Sequence, residues 1–314
     1  MKRHSLITLL CLCTTISAFL SSCDDDDDNK KFDGRSLWSK TMAGNDIEEI
    51  AWPDRSENYW EYTMDVTENP NIGIKFKGEY PRNDVRFFNF TFYNDVSTQR
   101  ITSIEDFNIV PNEGSSNPFT AEGNGKASER NYFEINMVPA GTSATVRNKL
   151  SNVLEFSDNI KKLSVLLRIY FNSDEHGTDF GGVALPEIVF FNTTTGEELG
   201  TANRTDSRYY AMCKLIASQI PTISVQERMP FTLAPDVMYS NGPTGYVTSS
   251  NRVDAESVLA FRFIPPGYPK TIAENRNANV RYWSICVGDA KKTITPITIP
   301  YTKAKESEDG YVNF

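Results

Sequence analysis

A repeated aromatic stretch constrains the fold of this chain more than any other feature. The first copy, residues 86–95, begins with an arginine and two aromatic residues, continues with alternating positions and closes with an aspartate. Residues 281–289 repeat that order loosely. A short apolar run and a turn rich in glycine and proline precede each copy. A strand, a turn, an aromatic strand and an acidic turn together form a β unit, so the pattern predicts two related units.

The alternation inside the first copy predicts which side chains enter the core. Successive residues of a strand point to opposite faces of the sheet. We therefore expect Phe88, Phe90 and Phe92 to lie together on the buried face. The opposite face then carries Phe87, Asn89 and Thr91.

Other segments also have the pattern of short strands. The 19 Phe and 14 Tyr favour strands, and glycine and proline are spread along the chain as expected of many turns. In the predicted strand 58–64, Trp60, Tyr62 and Met64 share one face. Its other face carries Tyr59, Glu61 and Thr63. The remaining predicted strands are 72–76, 132–138, 163–171 and 183–191, and short helices are predicted at 144–154 and between Asp206 and Pro221.

These elements predict a mainly β protein with two related antiparallel β-sandwich units of jelly-roll type and a few short helices. The first unit is assigned to 35–200, a connecting segment with a helix to 201–250, and the second unit to 251–314. The second unit lacks a counterpart of the strands 163–171 and 183–191, so we expect a partial unit. Either the chain is a truncated product of a longer gene, or other segments complete the unit. We interpret the two related units as a duplication; the alternative is that the two aromatic strands are similar by chance.

The N-terminus has the features of a lipoprotein signal. Lys2 and Arg3 precede a mostly apolar run at 6–20, which is too short for a stable membrane span. The residues 20–23 resemble a bacterial lipobox, which predicts a signal peptide at 1–22 and acylation of Cys23. The acidic run 24–28 cannot fold, and it predicts a solvated tether at 23–34. This run also resembles a surface-export signal, so we expect lipid anchoring in the outer membrane, facing the cell surface.

The repeated motif also carries a family resemblance. Arg281-Tyr282-Trp283-Ser284, after a Tyr-Pro pair, resembles a motif of secreted bacterial proteins of unknown function built from repeated β-sandwich or jelly-roll units. The first copy departs from that motif by having Asn89 in place of serine. The segment 179–186 resembles a recurrent Gly-Gly-x-x-Leu-Pro segment of the same group. The resemblance covers about half of the mature chain and implies a fold but no activity.

Aromatic residues near the start of the first unit are candidates for ligand stacking. Their rings could stack on sugar rings through their apolar faces. The densest group consists of Trp52, Tyr59, Trp60 and Tyr62. The alternative is that these residues belong to the core, which must hold for at least one face of the strand.

One loop has a weak resemblance to a calcium site. Asn172, Asp174 and Asp179 place oxygen ligands close together around a turn at Gly177. The bidentate glutamate of a calcium loop is replaced by Val183, which favours a solvated turn instead. No cofactor is predicted.

Composition and motifs argue against several function classes. The net charge of −9, without a basic stripe, disfavours nucleic-acid binding. The mature chain has one histidine, His176, and no nucleophile elbow, P-loop or dinucleotide fingerprint. Cys213 and Cys286 form either one disulfide or two buried thiols, and the second reading is favoured.

Two functions from different classes remain open. The first is a lipid-anchored binding or structural protein of the cell surface, with the membrane as partner through Cys23 and a polysaccharide as ligand. The second is a secreted hydrolase with a glycosidase-like carboxylate site or a site centred on His176. The sequence alone assigns no catalytic residue.

Overall fold

Two five-stranded sheets form a β-sandwich that accounts for most of the regular structure. The computed structural model describes residues 34–41, 51–68, 70–82, 85–123, 129–171, 177–200, 209–219, 230–234, 239–253, 256, 258–268 and 279–314. Residues 33–314 belong to one compact unit. The expected signal peptide and the lipidation site Cys23 lie outside the described residues, as does the tether up to residue 33.

The first sheet, sheet A, is antiparallel throughout. Its strands are ordered β1-β2-β8-β4-β5. Their bounds are β1 Ser39–Thr41, β2 Glu57–Asp65, β4 Val85–Asn94, β5 Gln99–Glu105 and β8 Lys162–Phe171. The long strands β2, β8 and β4 are adjacent, so the predicted apolar run at 163–171 lies between two alternating strands.

The second sheet, sheet B, is ordered β10-β9-β3-β6-β7. Its strands are β3 Ile72–Glu79, β6 Tyr132–Pro139, β7 Val153–Phe156, β9 Glu187–Asn192 and β10 Glu198–Leu199. Only the pair β6–β7 is parallel within this sheet. At Gly73 a Cβ atom would come within 2.3 Å of the Phe191 ring, so β3 passes β9 closely only because that residue is glycine.

The core lies between the two sheets and is rich in aromatic rings. Phe90 of sheet A contacts Phe76 and Phe133 of sheet B, with ring centroids 5.4 and 6.1 Å apart. Phe88 and Phe92 belong to the same core and are fully buried. The predicted inner face of the aromatic strand is therefore confirmed, as is the inner face formed by Trp60, Tyr62 and Met64.

The short helix α1, Ala144–Arg147, packs outside sheet B. The Ser143 hydroxyl caps it by accepting a bond from the Val146 N–H group. Val146 then packs against Val138 and Phe191. The helix is shorter than the predicted 144–154, because the chain turns through Asn152, with φ of +46°, and enters β7.

The remaining elements are smaller. Helix α2 spans Tyr209–Gln219, close to its predicted bounds. The described residues of the C-terminal part form three two-stranded antiparallel sheets, and their strands are β11 Thr232–Leu233, β12 Val247–Thr248, β13 Arg262–Phe263, β14 Ser284–Val287, β15 Ile297–Pro300 and β16 Val312–Asn313. The pairs are β11–β12, β13–β16 and β14–β15.

The fold class follows from these observations. The protein is mainly β, with an antiparallel β-sandwich and two short α-helices among the described residues, as predicted. The predicted strand 183–191 begins only at Glu187, because Pro186 has no N–H group for a strand ladder. The division into units at 35–200, 201–250 and 251–314 stays a prediction.

Candidate functional site

The outward side of sheet A is polar yet buried. In the register of the sheet, Tyr59 and Asn89 flank Arg168, and Glu57 lies opposite Tyr170. All five residues are at most 4% exposed. Burying so many polar groups is costly unless they have hydrogen-bond partners. We call this surface the polar face, and it comprises Glu57, Tyr59, Glu61, Thr63, Asn89, Thr91, Tyr93, Ser164, Arg168 and Tyr170.

Residues 239–246, which we call the strap, cover the polar face over β4 and β8. Arg168 Nη2 donates to the Tyr239 carbonyl over 2.7 Å. The Tyr93 hydroxyl donates to the Ser240 carbonyl over 2.8 Å and accepts a bond from Arg168 Nη1 over 2.9 Å. The Tyr239 hydroxyl donates to Asp95 Oδ1 over 2.5 Å. Backbone and side chains of the strap thus satisfy groups on two adjacent strands.

Asn241 lies at the centre of the contact between strap and sheet. Its side-chain Nδ2 donates to the Tyr170 hydroxyl over 2.7 Å. Its Oδ1 accepts bonds from Asn89 Nδ2 over 2.7 Å and from the Thr91 hydroxyl over 3.3 Å. Asn241 is 1% exposed, so one buried amide connects three residues of the polar face.

A second contact lies at the end of the polar face, where Asp54 precedes β2. The Tyr282 hydroxyl donates to Asp54 Oδ2 over 2.7 Å, and the Ser284 hydroxyl donates to the same oxygen. Asp54 Oδ1 accepts the Ser56 N–H group over 2.9 Å. The Tyr282 ring meets the Tyr170 ring edge-on at 5.2 Å. The hairpin β14–β15 is therefore attached to the sandwich through a buried carboxylate.

The two copies of the repeated motif meet at their arginines. Arg86 Nε donates to the Arg281 carbonyl over 2.9 Å, and Arg281 Nη2 donates to the Arg86 carbonyl over 3.4 Å. Arg281 also forms an ion pair with Asp106, which is fully buried. Burial raises the pKa of Asp106 to about 6, although the Arg281 charge opposes this rise. Equivalent positions of the two copies therefore face each other across one interface.

Glu57 is the most strongly perturbed acid of the polar face. Burial and the nearby Asp54 raise its pKa well above the ordinary value, while hydrogen bonds with Tyr59 and Tyr170 and the charge of Arg168 oppose the rise. This balance favours the protonated carboxyl group. Burial also raises the pKa values of Tyr59 and Tyr170, which keeps both phenols neutral.

Several buried atoms of this surface have no hydrogen-bond partner within the described part of the chain. They are Glu57 Oε2, Asn89 Oδ1 and the hydroxyl of Thr41, which lies beside Tyr59 in the register. The Asn89 oxygen is an acceptor only, whereas Glu57 Oε2 can accept or, in the protonated carboxyl group, donate. A buried polar atom without a partner is costly, so each such atom is a position where a further donor would stabilise the protein.

The predicted stacking residues do not form an exposed platform. Tyr59 is 4%, Trp60 4% and Tyr62 1% exposed. Trp60 and Tyr62 belong to the core, and Tyr59 belongs to the polar face on the opposite side of β2. Trp52 is half-buried and donates its indole N–H to the Asp289 carbonyl over 3.0 Å, away from these rings.

Little of the predicted calcium loop can be placed. Asp179 is exposed, while Asn172, Asp174 and His176 lie outside the described residues. Across the ranges that the structure describes, no three His, Cys, Asp or Glu side chains group together as metal ligands.

The expectation of two buried thiols is wrong for Cys286, which is a free and exposed thiol. The side chain of Cys213 lies outside the described residues. Desolvation and the nearby Asp54 raise the pKa of the Cys286 thiol to about 12, which opposes formation of a nucleophilic thiolate.

The C-terminal part also carries a cluster of half-buried aromatic rings. Phe263 contacts Trp283 at 5.5 Å and lies nearly parallel to Phe314 at 6.2 Å. Phe314 stacks on Phe261 at 5.2 Å, and Tyr268 contacts Trp283 at 6.0 Å. The sequence reasoning did not single out this cluster, although the alternation of Phe261 and Phe263 indicated a shared face.

The polar face itself was also missed. Its signal in the sequence is Arg168, a charged residue inside the apolar run 163–171. The position of Arg168 indicates that the outward side of this strand does not belong to the apolar core. Only the register of β2, β8 and β4 brings its polar neighbours together.

No helix among the described residues has the length and apolar character needed to cross a membrane.

Comparisons with known proteins support the fold alone. No protein-family model matches the sequence, and no curated protein matches it. The structure is similar to the crystal structure of an uncharacterised protein from Burkholderia cenocepacia, with a TM-score of 0.54 and 12% sequence identity. That match covers 90% of this chain and 71% of the other, and at this identity it indicates a shared architecture.

Proposed function

We propose that the protein is a lipid-anchored, non-enzymatic binding lipoprotein of the cell surface, and that its ligand is a glycan. The polar face of sheet A carries this proposal. It gathers one guanidinium group, one amide, two carboxyl groups and three phenols on the adjacent strands β2, β8 and β4 of one rigid sheet. Rigid strands position such groups more accurately than loops do.

The chemistry of the polar face suits a ligand rich in hydroxyl groups. Arg168, Tyr170 and Asn89 offer donors and acceptors, and the oxygens Glu57 Oε2 and Asn89 Oδ1 lack hydrogen-bond partners. Hydroxyl groups of a sugar both donate and accept, so they can complete both kinds of bond. The tyrosine rings add apolar faces against which a sugar ring can pack.

The cellular location rests on the N-terminal sequence. Acylation of Cys23 supplies the membrane anchor, and the acidic run 24–28 supplies a solvated spacer that favours surface display. A surface position would place the sandwich where extracellular polysaccharides are present. The membrane and a polysaccharide are therefore the proposed partners.

The proposal is tested by binding of the full-length, detergent-purified protein to soluble α-glucan, β-glucan, mannan and galactan in affinity electrophoresis. We expect retardation by at least one of them. Tyr59→Phe should weaken it, because this change deletes a hydroxyl of the polar face that bonds to the Asp54 backbone and not to the strap. Tyr80→Phe is the matched control: it deletes a hydroxyl that is buried in the core between the sheets and donates to the Ile109 carbonyl. Absence of binding to all four polysaccharides would refute the proposal.

The half-buried aromatic cluster is the competing surface for such a ligand. Trp283→Ala removes its central ring and leaves the polar face intact. Loss of binding in this variant, with normal binding by Tyr59→Phe, would move the site to the C-terminal cluster.

A second candidate function is carboxylate-based glycoside hydrolysis. The observation in its favour is that Asp54 and Glu57 lie near each other in contrasting environments, since Glu57 favours the protonated form while Asp54 accepts three hydrogen bonds. Glycosidases use two carboxyl groups whose environments differ. Release of reducing sugar from any of the four polysaccharides, abolished by both Asp54→Asn and Glu57→Gln, would establish this activity.

A further inference from the structure

We propose that the strap, residues 239–246, is an autoinhibitory segment that occupies the glycan-binding polar face and must leave it before a ligand binds. This inference rests on the proposed glycan-binding function and adds its regulation. The structure then represents the closed state of the site, in which the polar face has no open surface.

The groups of the strap occupy the positions that ligand hydroxyls would take. The carbonyl oxygens of Tyr239 and Ser240 accept bonds from Arg168 and Tyr93. The Asn241 amide accepts from Asn89 and donates to Tyr170. Every one of these bonds joins a neutral acceptor or donor to the sheet, and a hydroxyl group can replace either kind.

The contact between strap and sheet is mainly polar, so a ligand or water can replace the strap as the hydrogen-bond partner of the sheet. Its principal apolar contact is the edge-on pair of Tyr93 and Tyr239, with ring centroids 5.1 Å apart. At Gly242 the backbone comes so close to β5 that a Cβ atom would lie 2.4 Å from Arg100 Nη1 and 2.9 Å from Ser103 Oγ. Hydrogen bonds can be transferred to a ligand or to water without exposing an apolar core.

Two further features make the closed arrangement energetically unfavourable in part: backbone strain and missing hydrogen bonds. Tyr239 has φ of +56°, a left-handed conformation that is unfavourable for a residue with a bulky side chain. Glu57 Oε2 and Asn89 Oδ1 have no partner although the strap covers this side of the sheet. The strap therefore satisfies the polar face incompletely, and a ligand with more donors would satisfy it better.

The test uses Asn241→Ala in the full-length, detergent-purified protein. This variant removes three side-chain hydrogen bonds between strap and sheet. Asn117→Ala is the matched control, since this buried side chain also forms three hydrogen bonds, to Asp106, Ile109 and Phe119. Hydrogen exchange of 239–246 and the apparent Kd for the polysaccharide bound by the wild type are measured for each protein.

We expect faster exchange of the strap in Asn241→Ala and an apparent Kd that is lower by about five-fold or more, because a larger fraction of the protein is competent to bind. Asn117→Ala should leave both quantities unchanged.

The outcomes separate this inference from the function on which it rests. Wild-type binding that is unchanged or weakened in Asn241→Ala, despite faster exchange of the strap, would overturn autoinhibition and leave glycan binding in place. Unchanged exchange of 239–246 in Asn241→Ala would also overturn it. Failure of wild type and Asn241→Ala to bind any of the four polysaccharides would overturn the proposed function and this inference together.

Discussion

Replacement of Phe90 by alanine is the sharpest test of how the sandwich is stabilised. Phe90 is 0% exposed and lies in β4 between β8 and β5. Its ring contacts those of Trp38, Phe76, Phe88 and Phe133 at centroid distances between 5.4 and 6.4 Å. Alanine would leave a cavity among rings from both sheets that cannot easily collapse. We expect a loss of about 3–5 kcal/mol in the free energy of unfolding.

Such a loss is a large part of the total stability of a domain, which is about 5–15 kcal/mol. Urea unfolding followed by tryptophan fluorescence measures it, because Trp38 lies beside the substituted ring. Phe231→Ala is the control: Phe231 is 53% exposed and contacts Phe261 at 6.2 Å. This control should cost less than about 1 kcal/mol. A cost below about 1.5 kcal/mol for Phe90→Ala, or equal costs for both variants, would refute the packing argument.

Three further predictions concern pH dependence and anchoring. The pKa of Asp106, about 6, lies above its unfolded value, so its contribution to stability is present at pH 4 and is lost as the pH rises through 6. The stability difference between wild type and Asp106→Asn, from urea titrations, should change by about 2 kcal/mol between about pH 4 and pH 7; a constant difference would contradict the argument. Cys23→Ala should abolish metabolic lipid labelling and release the protein from the membrane fraction, and persistent labelling would rule out the lipobox. Replacement of residues 24–28 by neutral residues should reduce cleavage of the protein by a protease added to intact cells. Unchanged cleavage would contradict a role of this run in surface export and indicate a solvated spacer.

Much of the sandwich was predictable because the direction of a strand side chain is a local property. The period of two in 58–64 and 86–95 separated Trp60 and Phe90 from Tyr59 and Asn89, and the structure keeps that separation. Local patterns were less informative where two elements compete. Leu154 has the spacing of a helix with Val146, but it lies in β7, where pairing with β6 outweighs a weak helical preference.

The candidate site was not predictable in the same way. Alternation identified the outward face of β2 and β4, but it did not show whether that face meets water or another part of the chain. Tyr59 is buried because of contacts made in the tertiary structure, and so it is not an exposed stacking residue. Likewise, Asn241 gave no signal in the sequence, since its three partners lie on strands more than seventy residues away.

The sequence by itself determined the fold class, the two faces of the aromatic strands and the matching arginines at positions 86 and 281. These features follow from side-chain period and composition, which act over a few residues. Only the tertiary structure decided that Arg86 and Arg281 bond to each other's carbonyl groups and that the strap covers the polar face. The physical reason is that strand pairing and burial join residues far apart in the chain, and no local pattern specifies which distant segment will supply a buried polar group with its partner.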